Sequence, residues 1–127
     1  MKPAQTILVV EDEDITATML RFLLERQGYG VIHLSDGLQA CAHIDQSPPA
    51  SLVLLDVMLP YQSGLKVLGH LRQDARWRQI PVLMLTADSS EHGIQQALDA
   101  GANDYLVKPF NPRELTARLQ RFMNPAA

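Results

Sequence analysis

The chain has little cysteine, no surplus of basic charge and no long apolar run, and each shortage removes a class of function. Cys41 stands alone among 127 residues, so no intrachain disulfide can form and no thiolate cluster can hold zinc. Eleven lysines and arginines against fourteen aspartates and glutamates leave a formal net charge of −3, which offers no basic footprint to nucleic acid or to an anionic membrane. No window approaches the run of about eighteen apolar residues that reads as a membrane span. The opening MKPAQTILVV has one lysine and a very short apolar run, too little for a signal peptide. The expectation is a cytoplasmic domain that binds neither DNA nor a membrane directly.

What is present suits one folded domain over residues 1–127, with 46% hydrophobic and 20% charged residues. Short apolar runs recur at TILVV (6–10), SLVLL (51–55), PVLMLT (81–86) and DYLV (104–107), with a weaker one at GVIHL (30–34). Continuous rather than alternating runs of this length fit strands buried on both faces of a parallel sheet. Helical segments lie between them. ITATMLRFLLERQG carries Ile15, Met19, Phe22, Leu23 and Arg26 at helical spacing and stops at Gly28. SDGLQACAHID is a shorter second helix with Asp36 as its N-cap. Leu65, Leu68 and Leu71 stripe a third; Ile94, Ala97 and Leu98 face inward from a fourth, over Ser90 to Ala100, which Gly101 closes. A fifth opens on Asn111-Pro112 and carries Leu115, Leu119 and Phe122. QSPPA (46–50) reads as a surface turn and the closing NPAA as a loose tail or the start of a linker.

Five strands in alternation with five helices predict an α/β doubly wound sheet, with right-handed crossovers placing helices on both faces. Ligands bind such sheets beyond the carboxyl ends of the strands. The first strand runs into Glu11-Asp12-Glu13-Asp14, the third ends on Asp56, the fourth on Thr86 and the fifth on Lys108-Pro109. The second delivers only Leu34-Ser35 and is expected to lie away from the site. Taken singly, each group has an ordinary explanation: Asp14 as the N-cap of the first helix, Glu13 as a solvated acid, Thr86 as a strand end, Lys108 as a surface lysine. Their convergence on one edge is what those explanations lack, and Asp56, led up to by the apolar run Leu52–Leu55, is the hardest to set aside.

Adjacent carboxylates repel and raise one another's pKa unless a cation joins them. With no cysteine or histidine beside them in sequence, the matching cation is hard and oxygen-loving, and Mg²⁺ fits. Lys108 adds a fixed positive charge, so an anion arriving at Asp56 would meet a cation on either side. Phosphoryl transfer needs mainly positioning and charge neutralisation, and Asp56 can serve as its nucleophile.

The ordered set ILVVEDED, LVLLDVMLP, PVLMLTA and AGANDYLVKPF resembles the receiver domain of bacterial two-component response regulators, of the chemotaxis-regulator-like kind, over essentially the whole length. The resemblance implies a flavodoxin-like strand order of 2-1-3-4-5. It implies that Glu11, Asp12, Asp56 and the backbone carbonyl of Met58 hold Mg²⁺. Asp56 then accepts a phosphoryl group from a sensor histidine kinase or histidine phosphotransfer protein. Lys108 and Thr86 would contact phosphoryl oxygens, Ala87 would leave room for them, and Pro109 would follow a cis peptide bond. The switch implied by the family moves Thr86 toward the phosphoryl group and turns Tyr105 inward. That reshapes the surface of the fourth helix, fifth strand and fifth helix, which a downstream protein or effector domain reads. Asp99, Asp104, Arg113 and Arg118 on that surface are expected either to be plain solvated charges or to pair across a homodimer. Tyr61 and Ser63 in PYQSG depart from the frequent pattern, and Met58 and Asp88 flank the site where they would tune loss of the phosphate. The four histidines (33, 43, 70 and 92) are read as incidental and Trp77 as packing in the loop before the fourth strand.

Three other functions compete. A haloacid-dehalogenase-like phosphatase needs a second aspartate two residues beyond the nucleophile, where Met58 stands. A flavin or nucleotide binder needs a glycine- or hydroxyl-rich first loop, which here is acidic. A phosphorylation-independent protein-binding module on the same fold normally lacks one of the key residues, and none is missing. The reading is a phosphorylatable switch rather than an enzyme, with at most Mg²⁺-dependent self-phosphorylation and autodephosphorylation.

Overall fold

The computed structural model describes residues 5–123, so the NPAA tail lies outside the described residues. In chain order the elements are β1 (Thr6–Val10), α1 (Asp14–Arg26), β2 (Gly30–Leu34), α2 (Gly37–Gln46), β3 (Leu52–Asp56), α3 (Gly64–Gln73), β4 (Val82–Thr86), α4 (Glu91–Asp99), β5 (Asp104–Val107) and α5 (Pro112–Phe122). The strands form one sheet in the order β2-β1-β3-β4-β5, every pairing parallel. This is the doubly wound, flavodoxin-like order expected. β2 is the weak strand of the sequence because it is an edge strand, with no fully buried residue.

Alternation along the strands divides the core in two. Leu8, Val10, Val53, Leu55, Val82 and Met84 point to the side covered by α2, α3 and α4. Ile7, Val9, Leu52, Leu54, Leu83 and Leu85 point to the side covered by α1 and α5. β3 and β4 are buried along their whole length, and each such leucine side chain contributes about 1.5–3 kcal/mol through burial. Trp77 is fully buried before β4, and its indole donates to the Ser47 carbonyl at 3.4 Å.

Several local expectations need correction. On α1 the buried stripe is Ala17, Leu20 and Leu24, while Ile15 and Phe22 are 82% and 58% exposed and Met19 is also exposed. Both sets repeat at helical spacing, so periodicity alone could not say which faces the sheet. The N-cap of α1 is Glu13, with Asp14 the first helical residue; neither side chain caps a backbone amide. On α4 only Ala97 is buried, Ile94 and Leu98 being half-buried. On α3 Val67 joins Leu68 and Leu71, and Leu65 is only half-buried. Asp36 and Asn111 cap as expected, accepting from the amides of Gln39 and Glu114.

One side chain fastens the amino ends of β4 and β5. Arg72 donates to the carbonyls of Gly101, Arg78 and Ile80 at 2.7–3.0 Å and to Asn103 Oδ1 at 2.8 Å. Asn103 Oδ1 in turn accepts the Val82 amide at 2.9 Å. A lysine has one nitrogen and cannot reproduce this fork. Arg72→Lys is therefore expected to destabilise the fold by about 2 kcal/mol, measured as a lower urea midpoint at unchanged m-value.

Candidate functional site

Parallel register brings the strand ends together. Val10 pairs with Leu55, so Glu11 emerges beside Asp56; Asp56 pairs with Leu85 and Thr86 with Val107, which places Lys108 on the same edge. Glu11, Asp12, Glu13, Asp56, Met58, Ala87 and Lys108 line one cavity of about 410 Å³. Glu11 is fully buried, Asp56 is 5% exposed, and Asp12 sits at the open rim. One oxygen from each of these three carboxylates lies within 4.8 Å of the others.

The Lys108 ammonium donates to Glu11 Oε1 at 2.5 Å and to Asp56 Oδ2 at 2.9 Å. Asp56 Oδ1 accepts the Met58 amide at 3.1 Å. Burial and then the hydrogen bond with Asp56 push the Glu11 carboxyl up to about 7 from an ordinary 4.5, against the pull of Lys108. Burial alone would lower Lys108, yet its bonds to the two carboxylates raise it, so it stays charged. With all three carboxylates ionised, one ammonium would leave the pocket short of positive charge by two. A divalent cation with oxygen ligands matches both the donor set and that deficit.

Two supports escaped the sequence reading. A Cβ on Gly64, the first residue of α3, would fall 2.0 Å from the Asp56 carbonyl oxygen, so α3 can start against the end of β3 only with glycine there. His33 Nε2 lies 2.7 Å from the Glu11 carbonyl, and the Glu11 amide donates to the Leu34 carbonyl at 3.0 Å. Thus β2, expected to stand apart, braces Glu11 from behind. A glycine directly after an N-cap serine was the one sequence signal for the first; the second needed the register.

Thr86 is placed differently from the carboxylates. It is 7% exposed, and its Oγ1 accepts the Asp88 amide at 2.9 Å. It lines a neighbouring cleft of about 390 Å³, to which Ala87 and Met58 also contribute. Ser90, through side chain and amide, holds the Asp88 carboxyl below the usual carboxylate range. The Lys108–Pro109 bond is cis. Tyr105 is half-buried on β5, with the Arg118 guanidinium 5.5 Å from its ring centroid. Of the four charges on the α4–β5–α5 face, Asp104 and Arg118 are paired within the chain at 3.0 Å, and Arg121 adds a contact to Asp104 at 3.1 Å. Asp99 accepts from Gln95 at 2.7 Å on the exposed side of α4, and Arg113 is exposed on α5.

Residues 7–120 match the model of the response regulator receiver domain. Among curated proteins, the chain is 44% identical over 117 residues to the alkaline phosphatase synthesis transcriptional regulatory protein PhoP of Bacillus subtilis, covering 92% of this chain and 48% of that one. It is 42% identical over 120 residues to the phosphate regulon transcriptional regulatory protein PhoB of Escherichia coli, covering 94% and 52%. The chain thus spans about half the length of the curated relatives it matches. Among solved structures, chemotaxis response regulator CheY4 of Vibrio cholerae superposes with a TM-score of 0.88 at 31% identity, over 94% of this chain and 98% of that one. The receiver domain of sensor histidine kinase PA1611 from Pseudomonas aeruginosa, with magnesium coordinated in its active-site cleft, superposes at 0.85 and 35% identity, over 93% and 96%.

The raised pKa of Glu11 sets a pH dependence. Its folded form binds a proton more tightly than the unfolded chain, so without metal its ionisation costs stability above pH about 7, and that cost is relieved as pH falls from about 7 toward 4.5. Metal-free stability is expected to fall by up to about 1 kcal/mol per pH unit across this window, and Glu11→Gln to flatten the slope in urea melts. An unchanged slope in the variant would assign the dependence to another group.

Proposed function

The chain belongs to the response regulator receiver family, and from that premise we propose that residues 1–127 are one receiver domain whose phosphoacceptor is Asp56. Receiver domains are signalling switches rather than enzymes in the ordinary sense. The observation that carries the assignment is the position of Asp56, at the end of a fully buried strand, 2.9 Å from the Lys108 ammonium and clustered with Glu11 and Asp12.

In this reading a carboxylate oxygen of Asp56 attacks the phosphorus of a phosphohistidine on a sensor kinase or phosphotransfer protein. The P–N bond breaks and the imidazole leaves with its electron pair. Glu11, Asp12, Asp56 and the Met58 carbonyl are the groups we assign to Mg²⁺, which when bound neutralises charge on the transferring phosphoryl oxygens. Lys108 keeps its ammonium in the pocket for a further phosphoryl oxygen. Thr86 donates its hydroxyl proton to another once its oxygen leaves the Asp88 amide. Ala87 keeps the approach open, and Pro109 sets the turn after Lys108.

The phosphorylated arrangement shifts a pre-existing equilibrium in which Thr86 and Tyr105 move and the α4–β5–α5 surface changes. The exposed apolar stripe of Ile15, Met19 and Phe22 begins just beyond the acidic pocket, and we assign it to docking of the phosphodonor protein. Output is read by a downstream protein or effector domain, or by a second copy of this face. Asp99 and Arg113 are the charges available for that pairing, because Asp104 already holds Arg118. We place the protein in the cytoplasm, beside its kinase; no helix among the described residues is long and apolar enough to cross a membrane. Catalysis by the chain itself is limited to self-phosphorylation from small phosphodonors and autodephosphorylation.

Incubation with Mg²⁺ and acetyl phosphate is expected to add one phosphoryl group by intact mass, with none on Asp56→Asn and none when Mg²⁺ is chelated. Lys108→Ala is expected to slow the addition by tenfold or more, about 1.4 kcal/mol in the barrier. No adduct on the wild type, with beryllofluoride also failing to bind, would point instead to a phosphorylation-independent binding module.

A further inference from the structure

Gly93 lies inside α4 without a positive φ, so its backbone does not call for glycine, and glycine is among the poorest helix formers. Space calls for it instead. A Cβ at position 93 would fall 2.2 Å from Asp88 Oδ2, 2.5 Å from Cγ and 3.1 Å from Oδ1. The Asp88 carboxylate is folded down onto the helix, over the place where a side chain would begin.

That fold-back continues into the switch. Ser90 Oγ accepts the Gly93 amide at 3.1 Å, Asp88 Oδ1 accepts the Ser90 amide at 2.9 Å, and the Asp88 amide donates to Thr86 Oγ1 at 2.9 Å. The run is contiguous from the first turn of α4 to the hydroxyl at the end of β4. Thr86 cannot carry its oxygen to a phosphoryl group on Asp56 and keep the Asp88 amide where it is. Gly93, Asp88, Ala87 and Thr86 also border the same cleft, so there is room for the loop to move once released.

We propose that Gly93 is a positioning residue for the phosphoacceptor switch: by presenting no side chain beneath Asp88, it lets that carboxylate hook onto α4 and hold Thr86 in the resting arrangement. The inference rests on Asp56 being the phosphoacceptor. It makes the resting state the one that glycine stabilises. Adding a methyl group at 93 lifts Asp88 from the helix, frees Thr86 and favours the state that binds a phosphoryl group.

The test is a double-mutant cycle read by calorimetric titration of the Mg²⁺-loaded protein with beryllofluoride, using the wild type, Gly93→Ala, Asp88→Ala and the double variant. Loss of one hydrogen-bonded hook is expected to tighten binding by about threefold to tenfold in Gly93→Ala. Asp88→Ala is expected to tighten it similarly, and the double variant to match Asp88→Ala, since no carboxylate remains to be displaced. Amide hydrogen exchange at Asp88 and Ser90 should speed up in Gly93→Ala. If that variant melts below the assay temperature, the tightening in Asp88→Ala and its persistence in the double variant carry the test. Unchanged affinity in Gly93→Ala, or an equal shift whether residue 88 is Asp or Ala, overturns the inference while leaving the acceptor assignment intact. A wild type that binds no beryllofluoride at all overturns both.

Discussion

The ammonium of Lys108, bonded to Glu11 at 2.5 Å and to Asp56 at 2.9 Å, is the contact on which the pocket depends. Two carboxylates with almost no solvent access cannot share a strand edge uncompensated, because an unpaired buried charge costs several kcal/mol. Lys108 starts from β5 and must pass the end of β4 to reach them. Between them the chain after β4 presents Ala87, a small residue that lines the same pocket. The compensation is partial, because one ammonium faces two buried carboxylates and the exposed Asp12, and burial together with Asp56 raises the pKa of Glu11 despite Lys108. That residual imbalance makes the pocket receptive to a divalent cation and then to an anion bridging cation and ammonium.

The scaffold holds these groups rigid by burying what precedes them. Asp56 follows four leucine and valine residues with no more than 1% exposure, and Glu11 follows Ile7, Leu8, Val9 and Val10, buried to the same degree. Neither backbone can relax away from the repulsion without uncovering core. Gly64 and His33 add local fixation, one by letting α3 begin against the Asp56 carbonyl, the other by holding the Glu11 carbonyl from β2.

The strands and the four edge groups were legible in the sequence because each depends on local composition, whereas the order of the strands followed only from the family resemblance. An apolar run ends, and the next residue is an acid, a hydroxyl or a lysine. The facing of α1 was not legible: Ile15-Met19-Phe22 and Ala17-Leu20-Leu24 have the same period, and only packing on the sheet chooses between them. The bracing by His33 depends on the pairing of β1 with β2, which no single segment encodes. Thr86 was expected to move toward a phosphoryl group; what the sequence did not announce is that its oxygen first accepts the Asp88 amide. Likewise Gly93 resembles a weak point in a helix until the carboxylate above it is seen.

These contacts also decide which part of the output surface can move. α5 is tied to β5 by Asp104, a buried carboxylate that takes both oxygens to Arg118 and one to Arg121, while Arg118 also covers the Tyr105 ring. Arg121 is largely exposed and adds little, but withdrawing Arg118 would strand a buried charge. α4 has no comparable anchor. It buries Ala97 alone, where α3 buries four residues, and its amino end is held by the bonds of Asp88 and Ser90. A switch that must be reversed by losing one phosphoryl group can shift only a few kcal/mol between its states. Rearranging the β4–α4 loop and the first turn of α4 is within that range; detaching α5 from β5 is not. If Asp56 is the phosphoacceptor we propose, a change there should leave through Thr86 into α4, with β5 and α5 serving as the fixed wall against which α4 is repositioned.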